Sequence, residues 1–155
     1  IVFFDLGEYT AAEHCYQESL VIRRELGNRW GIAAALNNLG LIASVQKAYA
    51  EARQRYRESL AICREIGDQR GTAIALNNLG EVAFTLASYD EAKKYHQESL
   101  EISRQIGFTR GVTFALGFLG NVSFALREYE TARELYNQVL LIALKRRPPH
   151  GRSTH

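Results

Sequence analysis

The chain has 155 residues, of which 46% are hydrophobic, 23% charged and 10% aromatic, which is an ordinary composition for one globular domain. This apolar content excludes an intrinsically disordered chain, two cysteines are too few for a disulfide scaffold, and no apolar run approaches the roughly 18 residues of a membrane span. The net charge of +2 comes from Lys145, Arg146, Arg147 and Arg152, because residues 1–144 carry 15 basic against 17 acidic side chains. That balance disfavours specific nucleic-acid binding.

The N-terminal segment predicts an incomplete first helix. The chain begins at Ile1, contains no methionine and lacks the basic start of a signal peptide, so we interpret it as a piece of a longer, cytoplasmic protein. Val2, Phe3 and Leu6 fit the last turn of a helix, which leaves the apolar side of the following helix, residues 9–26, poorly covered. We therefore expect self-association through this N-terminal end.

The rest of the chain repeats itself with a period of 40 residues. Leu-Gly pairs recur at 39–40, 79–80 and 119–120. Residues 31–70 and 71–110 share 20 identities in 40 positions, so one unit was duplicated. Proline is absent from the first 147 residues, which favours helices throughout the repeats.

Each unit is predicted to form two antiparallel helices joined by short turns. In the clearest copy, the helical spacing of apolar residues places the first helix at about 70–86 and the second at about 89–106. Ser88 and Glu91 predict a capping box at the start of the second helix. Gly107 predicts a left-handed residue at its end.

The unit resembles the tetratricopeptide repeat, whose signature positions fall here on Leu36, Leu39, Gly40, Ala43, Tyr49, Ala52, Tyr56 and Ser59. The 40-residue length is similar to long-repeat members such as kinesin light chains, cell-polarity scaffolds and the arms of bacterial signalling ATPases. The resemblance implies an all-α, right-handed solenoid of antiparallel helix pairs over residues 1–147. It comprises a partial first repeat and three full helix pairs, followed by a disordered tail at 148–155.

The sequence predicts no catalytic, metal or cofactor site. It contains no phosphate-binding G-x-x-x-x-G-K-[ST] loop, no G-x-S-x-G nucleophile motif and no Cys/His spacing typical of zinc ligands. His96 occupies the repeat position of Tyr56 and Tyr136, so we expect a buried ring with a hydrogen bond. Cys15 and Cys63 are expected to be small buried apolar residues in a reducing compartment.

The remaining candidate for function is the concave surface formed by the first helix of each pair. A helical wheel places nine residues there: Asn37, Leu41, Ser44, Asn77, Glu81, Phe84, Phe114, Asn121 and Phe124. Asparagine amides suit the backbone of a bound peptide, and the phenylalanines suit its apolar side chains. For Asn38 and Asn78, at the edge of this face, a structural hydrogen bond is an equal alternative. No Lys or Arg occurs at 31–46, 71–86 or 111–126, which predicts a neutral groove unsuited to clamping a carboxylate.

Together these features predict a protein-interaction module that holds a peptide or helix of a partner protein in the concave groove, without a role at a membrane. The alternative is a regulatory arm of a larger signalling ATPase or transcriptional regulator. A nucleotide-binding or DNA-binding domain upstream of Ile1 would favour that alternative.

Overall fold

The computed structural model describes residues 6–146, and this part of the chain forms seven helices and no strand. The helices are α1 Leu6–Glu25, α2 Arg29–Val45, α3 Tyr49–Ile66, α4 Gln69–Thr85, α5 Tyr89–Gln105, α6 Thr109–Ala125 and α7 Tyr129–Lys145. Turns of two or three residues join them, which forces sequence neighbours to lie antiparallel. The predicted all-α helical-repeat solenoid is confirmed, while the expectations for Val2, Phe3 and the tail at 148–155 lie outside the described residues. Leu6 was expected in the last turn of a preceding helix, and this is wrong, because α1 begins at Leu6.

The helices stack in one direction with a curved face. We call α2, α4 and α6 the first helices, and α1, α3, α5 and α7 the second helices. Each first helix packs against the second helices before and after it, and neighbouring first helices also contact each other. Within residues 6–146, by contrast, no two second helices bring Cα atoms within 8 Å of each other. The first helices therefore line the concave side of the stack.

The glycine of each Leu-Gly pair explains how closely the two helices of a repeat approach. A methyl group at Gly80 would overlap the His96 ring, and one at Gly40 would overlap the Tyr56 ring. The rings therefore lie directly on the backbone of the first helix. His96 is fully buried, as expected from its repeat position.

Side-chain caps define the starts of two first helices. Asn28 Oδ1 accepts a hydrogen bond from the Gly31 N–H at 3.0 Å, and Asp68 Oδ1 accepts one from the Gly71 N–H at 2.9 Å. Such caps satisfy one of the unpaired N–H groups at a helix start. The third first helix begins after Phe108, which provides no such cap.

The capping box predicted for α5 is wrong. Ser88 is the residue before the helix, but its side chain makes no capping hydrogen bond. The Glu91 carboxylate instead accepts hydrogen bonds from Arg53 Nη2 of the preceding repeat, at 2.6 and 2.7 Å. This bond from Arg53 lowers the pKa of Glu91. The predicted left-handed residue at Gly107 is confirmed by its φ of 67°.

The two cysteines differ in environment. Cys63 is buried, as predicted, and burial raises the pKa of its thiol. Cys15 is exposed, so the prediction that it is buried is wrong. The reason is that α1 contacts α2 alone among the described helices, which leaves the other side of α1 uncovered.

Candidate functional site

Two adjoining cavities lie on the concave face, and we call them together the concave trough. The first, of about 280 Å³, is lined between α2, α3 and α4 by Trp30, Ala33, Ala34, Asn37, Asn38, Ser59, Cys63, Asp68, Arg70, Gly71 and Ile74. The second, of about 270 Å³, is lined between α2, α4 and α6 by Asn37, Leu41, Arg70, Ile74, Asn77, Asn78, Phe108, Arg110, Gly111 and Phe114.

Asn37 belongs to both cavities and also joins two repeats. Its Oδ1 accepts a hydrogen bond from Asn78 Nδ2 at 2.8 Å, which links α2 to α4. Of the two alternatives considered for Asn78, the structural hydrogen bond is therefore the one observed. The Nδ2 of Asn37 has no acceptor within the described part of the chain, and this half-buried amide can donate to a molecule in the trough.

Asn77 lies at the equivalent position one repeat later and lines the second cavity, but its amide is engaged in hydrogen bonds within the chain. It is 5% exposed. Its Oδ1 accepts a hydrogen bond from His96 Nδ1 at 3.0 Å, and its Nδ2 donates to the Gly111 carbonyl at 3.4 Å. The expectation that Asn77 offers a free amide to a peptide is therefore wrong, because this amide holds α4 to α5 and α6.

The apolar side chains predicted for the groove divide between trough and core. Leu41 and Phe114 line the second cavity, and Phe114 stacks on Phe118 with ring centroids 4.9 Å apart. Phe84 is half-buried and packs against Phe118 and Tyr89, so it supports the first helices from within. Contrary to the prediction, Phe84 lines neither cavity of the trough.

Four further predicted residues lie outside both cavities of the trough. Ser44 is half-buried near the end of α2. Glu81 is half-buried in α4, and this burial raises the pKa of its carboxyl group. Asn121 accepts a hydrogen bond from the Tyr136 hydroxyl at 2.7 Å. Phe124 is exposed at the end of α6, where its ring packs against Tyr129.

The predicted groove left out the first turn of each first helix. These helices begin two residues before the glycines at 31, 71 and 111, so Trp30 and Arg70 line the first cavity and Arg70 and Arg110 the second. The expectation of a neutral groove is therefore wrong at this end. The capping residues Asn28 and Asp68 were the sequence signal that this turn belongs to the first helices of the first two cavities.

Arg70 is held in place by an aromatic ring. Its guanidinium carbon lies 4.6 Å from the centroid of the Phe108 ring, which is a cation–π contact. Neither Arg70 nor Arg110 forms an ion pair with an acid of the described residues. Both guanidinium groups therefore remain available to a bound anion.

The described residues offer neither a metal site nor a membrane-spanning helix. Between residues 6 and 146, no group of three His, Cys, Asp or Glu side chains is arranged to hold a metal ion. None of the described helices has both the length and the apolar character needed to cross a bilayer. The concave trough thus remains the candidate site.

Known proteins share this architecture. The fold is similar to the crystal structure of BtubC (BKLC) from P. vanneervenii, with a TM-score of 0.79 and 22% identity over 96% of this chain and 63% of that one. It is also similar to the TPR domain of Arabidopsis FLU, with a TM-score of 0.69 and 20% identity over 73% of this chain and 95% of that one. The chain thus spans less than two thirds of the BtubC structure. No curated protein matches the chain.

A sequence profile of the tetratricopeptide repeat matches residues 1–65 and 31–105. These matches cover more than half of the chain, and they fall on the helix pairs whose stacking is described above. The chain therefore belongs to the tetratricopeptide repeat family.

Proposed function

We propose that the concave trough binds an extended peptide segment of a partner protein. Tetratricopeptide repeats generally mediate protein–protein interaction, and solenoids of this kind bind partners on their concave face. The observation that carries the proposal is the pair of open cavities that adjoin along α4 and share Asn37, Arg70 and Ile74.

Each cavity offers an apolar wall to one side chain of the peptide. In the first cavity this wall comprises Trp30, Ala34 and Ile74. In the second it comprises Leu41 and Phe114. Trp30 is 65% exposed and Phe114 is 37% exposed, so a bound side chain would bury apolar surface that now faces water.

Asn37 supports binding of the peptide backbone between these two walls. Its Oδ1 is fixed by Asn78, which orients the amide and leaves Nδ2 for a carbonyl oxygen of the peptide. A hydrogen bond of this kind contributes about 0.5–1.5 kcal/mol. The apolar contacts therefore supply most of the affinity, and Asn37 sets the register.

The test starts with peptides selected from a random display library on the intact chain. Phe114→Ala should weaken their binding by about tenfold to thirtyfold, as expected for truncation of an aromatic anchor. Asn37→Ala should weaken it by about threefold to tenfold. The affinities are measured by isothermal titration calorimetry, and thermal melting confirms that each variant is folded.

Phe124→Ala is the matched control, because Phe124 is an exposed phenylalanine of the same helix that lies outside the trough. It should leave the affinity unchanged. Equal weakening by Phe114→Ala and Phe124→Ala, or weakening by neither, would place the binding surface elsewhere.

A further inference from the structure

A third cavity lies at the edge of the trough and is bordered by three arginines. Arg70 comes from the first turn of α4, Arg110 from the first turn of α6 and Arg146 from the end of α7. The remaining lining is Ile106, Gly107, Phe108 and Thr109, so no acidic residue lines this cavity. None of the three arginines is ion-paired with an acid of residues 6–146.

The equivalent positions of the preceding repeat carry a different charge from those that line this cavity. Forty residues earlier, the positions of Arg70, Phe108 and Arg146 are occupied by Trp30, Asp68 and Ile106. There Asp68 supplies the chain's own carboxylate to the start of α4, through its hydrogen bond from the Gly71 N–H. In the third repeat phenylalanine replaces the acid and two arginines replace Trp30 and Ile106, so no acid of residues 6–146 lines the cavity or forms an ion pair with its arginines.

The start of α6 adds to this positive potential. Its first turn contains no acid, and Phe108 makes no side-chain cap, so the partial positive charge of the helix start is unopposed. This helix start favours an anion at the same edge as the arginines, because residues 107–110 line the cavity.

We propose that this arginine cavity binds a phosphate monoester carried by a side chain of the peptide in the trough. The proposal rests on the proposed function, because the cavity shares Arg70, Phe108 and Arg110 with the trough. A phosphate monoester carries between one and a half and two negative charges near neutral pH and three acceptor oxygens, about what three guanidinium groups can pair with. A single carboxylate would leave most of these donors unpaired.

The stacking of Arg70 on Phe108 contributes to this preference. With its carbon 4.6 Å from the ring centroid, the guanidinium lies against the ring and is held without an acidic partner. Ring stacking leaves the N–H groups at the edge of the guanidinium plane free to donate to phosphate oxygens. Arg110 and Arg146 approach the same space from two other helices.

The experiment is a titration of the chain with inorganic phosphate, followed by two-dimensional amide NMR, with sodium chloride at matched ionic strength as reference. We expect saturable shifts at the amides of residues 107–111. Phe108→Asp should weaken this binding by at least tenfold, because it introduces the acid that Asp68 provides in the preceding repeat. Arg110→Gln with Arg146→Gln should weaken it by at least as much.

The charge-matched control is Arg127→Gln with Arg133→Gln, which removes two exposed arginines that do not line the cavity. It should bind phosphate like the unchanged chain. Equal affinity in all of these variants, absence of saturable shifts, or tighter binding of the diester dimethyl phosphate would overturn the proposal. The last result would indicate recognition of a nucleic-acid or lipid type of phosphate.

Peptide binding in the trough and phosphate binding in the arginine cavity can be tested separately. Phe114→Ala should weaken the selected peptides and leave the affinity for inorganic phosphate unchanged. A phosphoserine placed at the correct register of a selected peptide should increase its affinity by about tenfold or more, and this gain should vanish in the Arg110→Gln, Arg146→Gln variant. Peptide binding without any gain from phosphoserine at any position would contradict the phosphate site alone.

Discussion

The absence of a methyl group at Gly80 determines how closely α5 approaches α4. Because the His96 ring lies on the backbone there, a methyl group would overlap the ring. At Gly117, in the interior of α6, the position that a Cβ would occupy has no atom within 4 Å apart from the neighbouring backbone of the helix itself. The two glycines therefore have opposite roles in the stability of the chain.

Gly80→Ala should destabilise the chain by about 1–3 kcal/mol, because the added methyl group overpacks a buried interface. Gly117→Ala should stabilise it by about 0.5–1 kcal/mol, because alanine is the better helix former and nothing obstructs it. Urea denaturation of the two variants measures both free energies. A change of the free energy of unfolding in the same direction for both substitutions would contradict the claim that Gly80 is needed to accommodate the His96 ring.

Burial of His96 predicts a specific dependence of stability on pH. Burial lowers the pKa of His96 to about 4, whereas an unfolded chain protonates histidine near pH 6.5. Between these values the unfolded state binds more protons, so stability falls as the pH falls from about 6.5 toward 4. The contribution from His96 is on the order of 3 kcal/mol over that range.

The control for this prediction is His96→Tyr, which places at this position the residue found in the neighbouring repeats at Tyr56 and Tyr136. Melting temperatures between pH 7 and pH 5 should fall more steeply for the unchanged chain than for this variant. Parallel curves would show that His96 is not the group responsible.

Asn37 and Asn77 show which part of a site can be predicted from a repeat and which cannot. The period predicts correctly that both asparagines lie on the same face of successive first helices. It does not predict that the Asn77 side chain is engaged in internal hydrogen bonds. The bond from His96 depends on a single residue difference in the second helix of the repeat. A histidine at position 96 presents a ring nitrogen to Asn77, whereas Tyr56, at the equivalent position, has no ring nitrogen.

At the scale of the helices, the sequence predicts the elements of the clearest repeat to within one residue: about 70–86 and 89–106 were expected, and α4 spans Gln69–Thr85 and α5 Tyr89–Gln105. The helical spacing of apolar residues identified both helices of each repeat. The local contacts at the helix ends are less predictable from this spacing. Asn28 and Asp68 cap the starts of α2 and α4, and the turns that follow the first helices place Lys47, Ala87 and Arg127 at left-handed φ without a glycine. The predicted groove began only at the glycines of the first helices, so it left out the arginines of the trough.

The position of a helix in the stack determines how much stability is lost when one of its leucine side chains is truncated to alanine. Leu76 lies in α4 between neighbours on both sides and is fully buried, whereas Leu140 of α7 is 60% exposed. Leu76→Ala should cost about 2–5 kcal/mol, as expected for a cavity in a packed core. Leu140→Ala should cost less than about 1 kcal/mol, since the described chain places no repeat beyond α7. Similar denaturation midpoints for the two variants would argue against a linear stack.

At the scale of the whole molecule, both ends of the stack present apolar side chains to water. The exposed residues are Val21 and Ile22 in α1, Leu26 directly after it, and Leu140, Leu141 and Leu144 in α7. Interior repeats cover such faces with the next helix pair. Exposed apolar surfaces of this kind favour association.

We expect the chain to associate as its concentration rises, through the uncovered side of α1. Val21→Gln with Ile22→Gln should reduce this association, and Leu141→Gln with Leu144→Gln is the comparison at the other end. Sedimentation velocity over a hundredfold range of concentration measures the effect. A monomer at every concentration, or a loss of association in the α7 variant alone, would contradict this prediction.

The curvature of the stack brings side chains from three separate repeats into one surface. Neighbouring first helices touch, while the second helices are spread apart along the convex side. Residues that lie 40 positions apart in the sequence, such as Trp30 and Arg70, therefore come to line a common cavity. Our central proposal is that a peptide binds along this surface.

The chain's single tryptophan tests that claim most directly. Trp30 lines the first cavity and is 65% exposed, so a peptide in the trough must move its indole ring out of water. Titration with a selected peptide that contains no tryptophan should shift the fluorescence emission of Trp30 to shorter wavelength. The shift should saturate with the Kd found by calorimetry. An unchanged emission spectrum at saturating peptide would contradict binding in the concave trough.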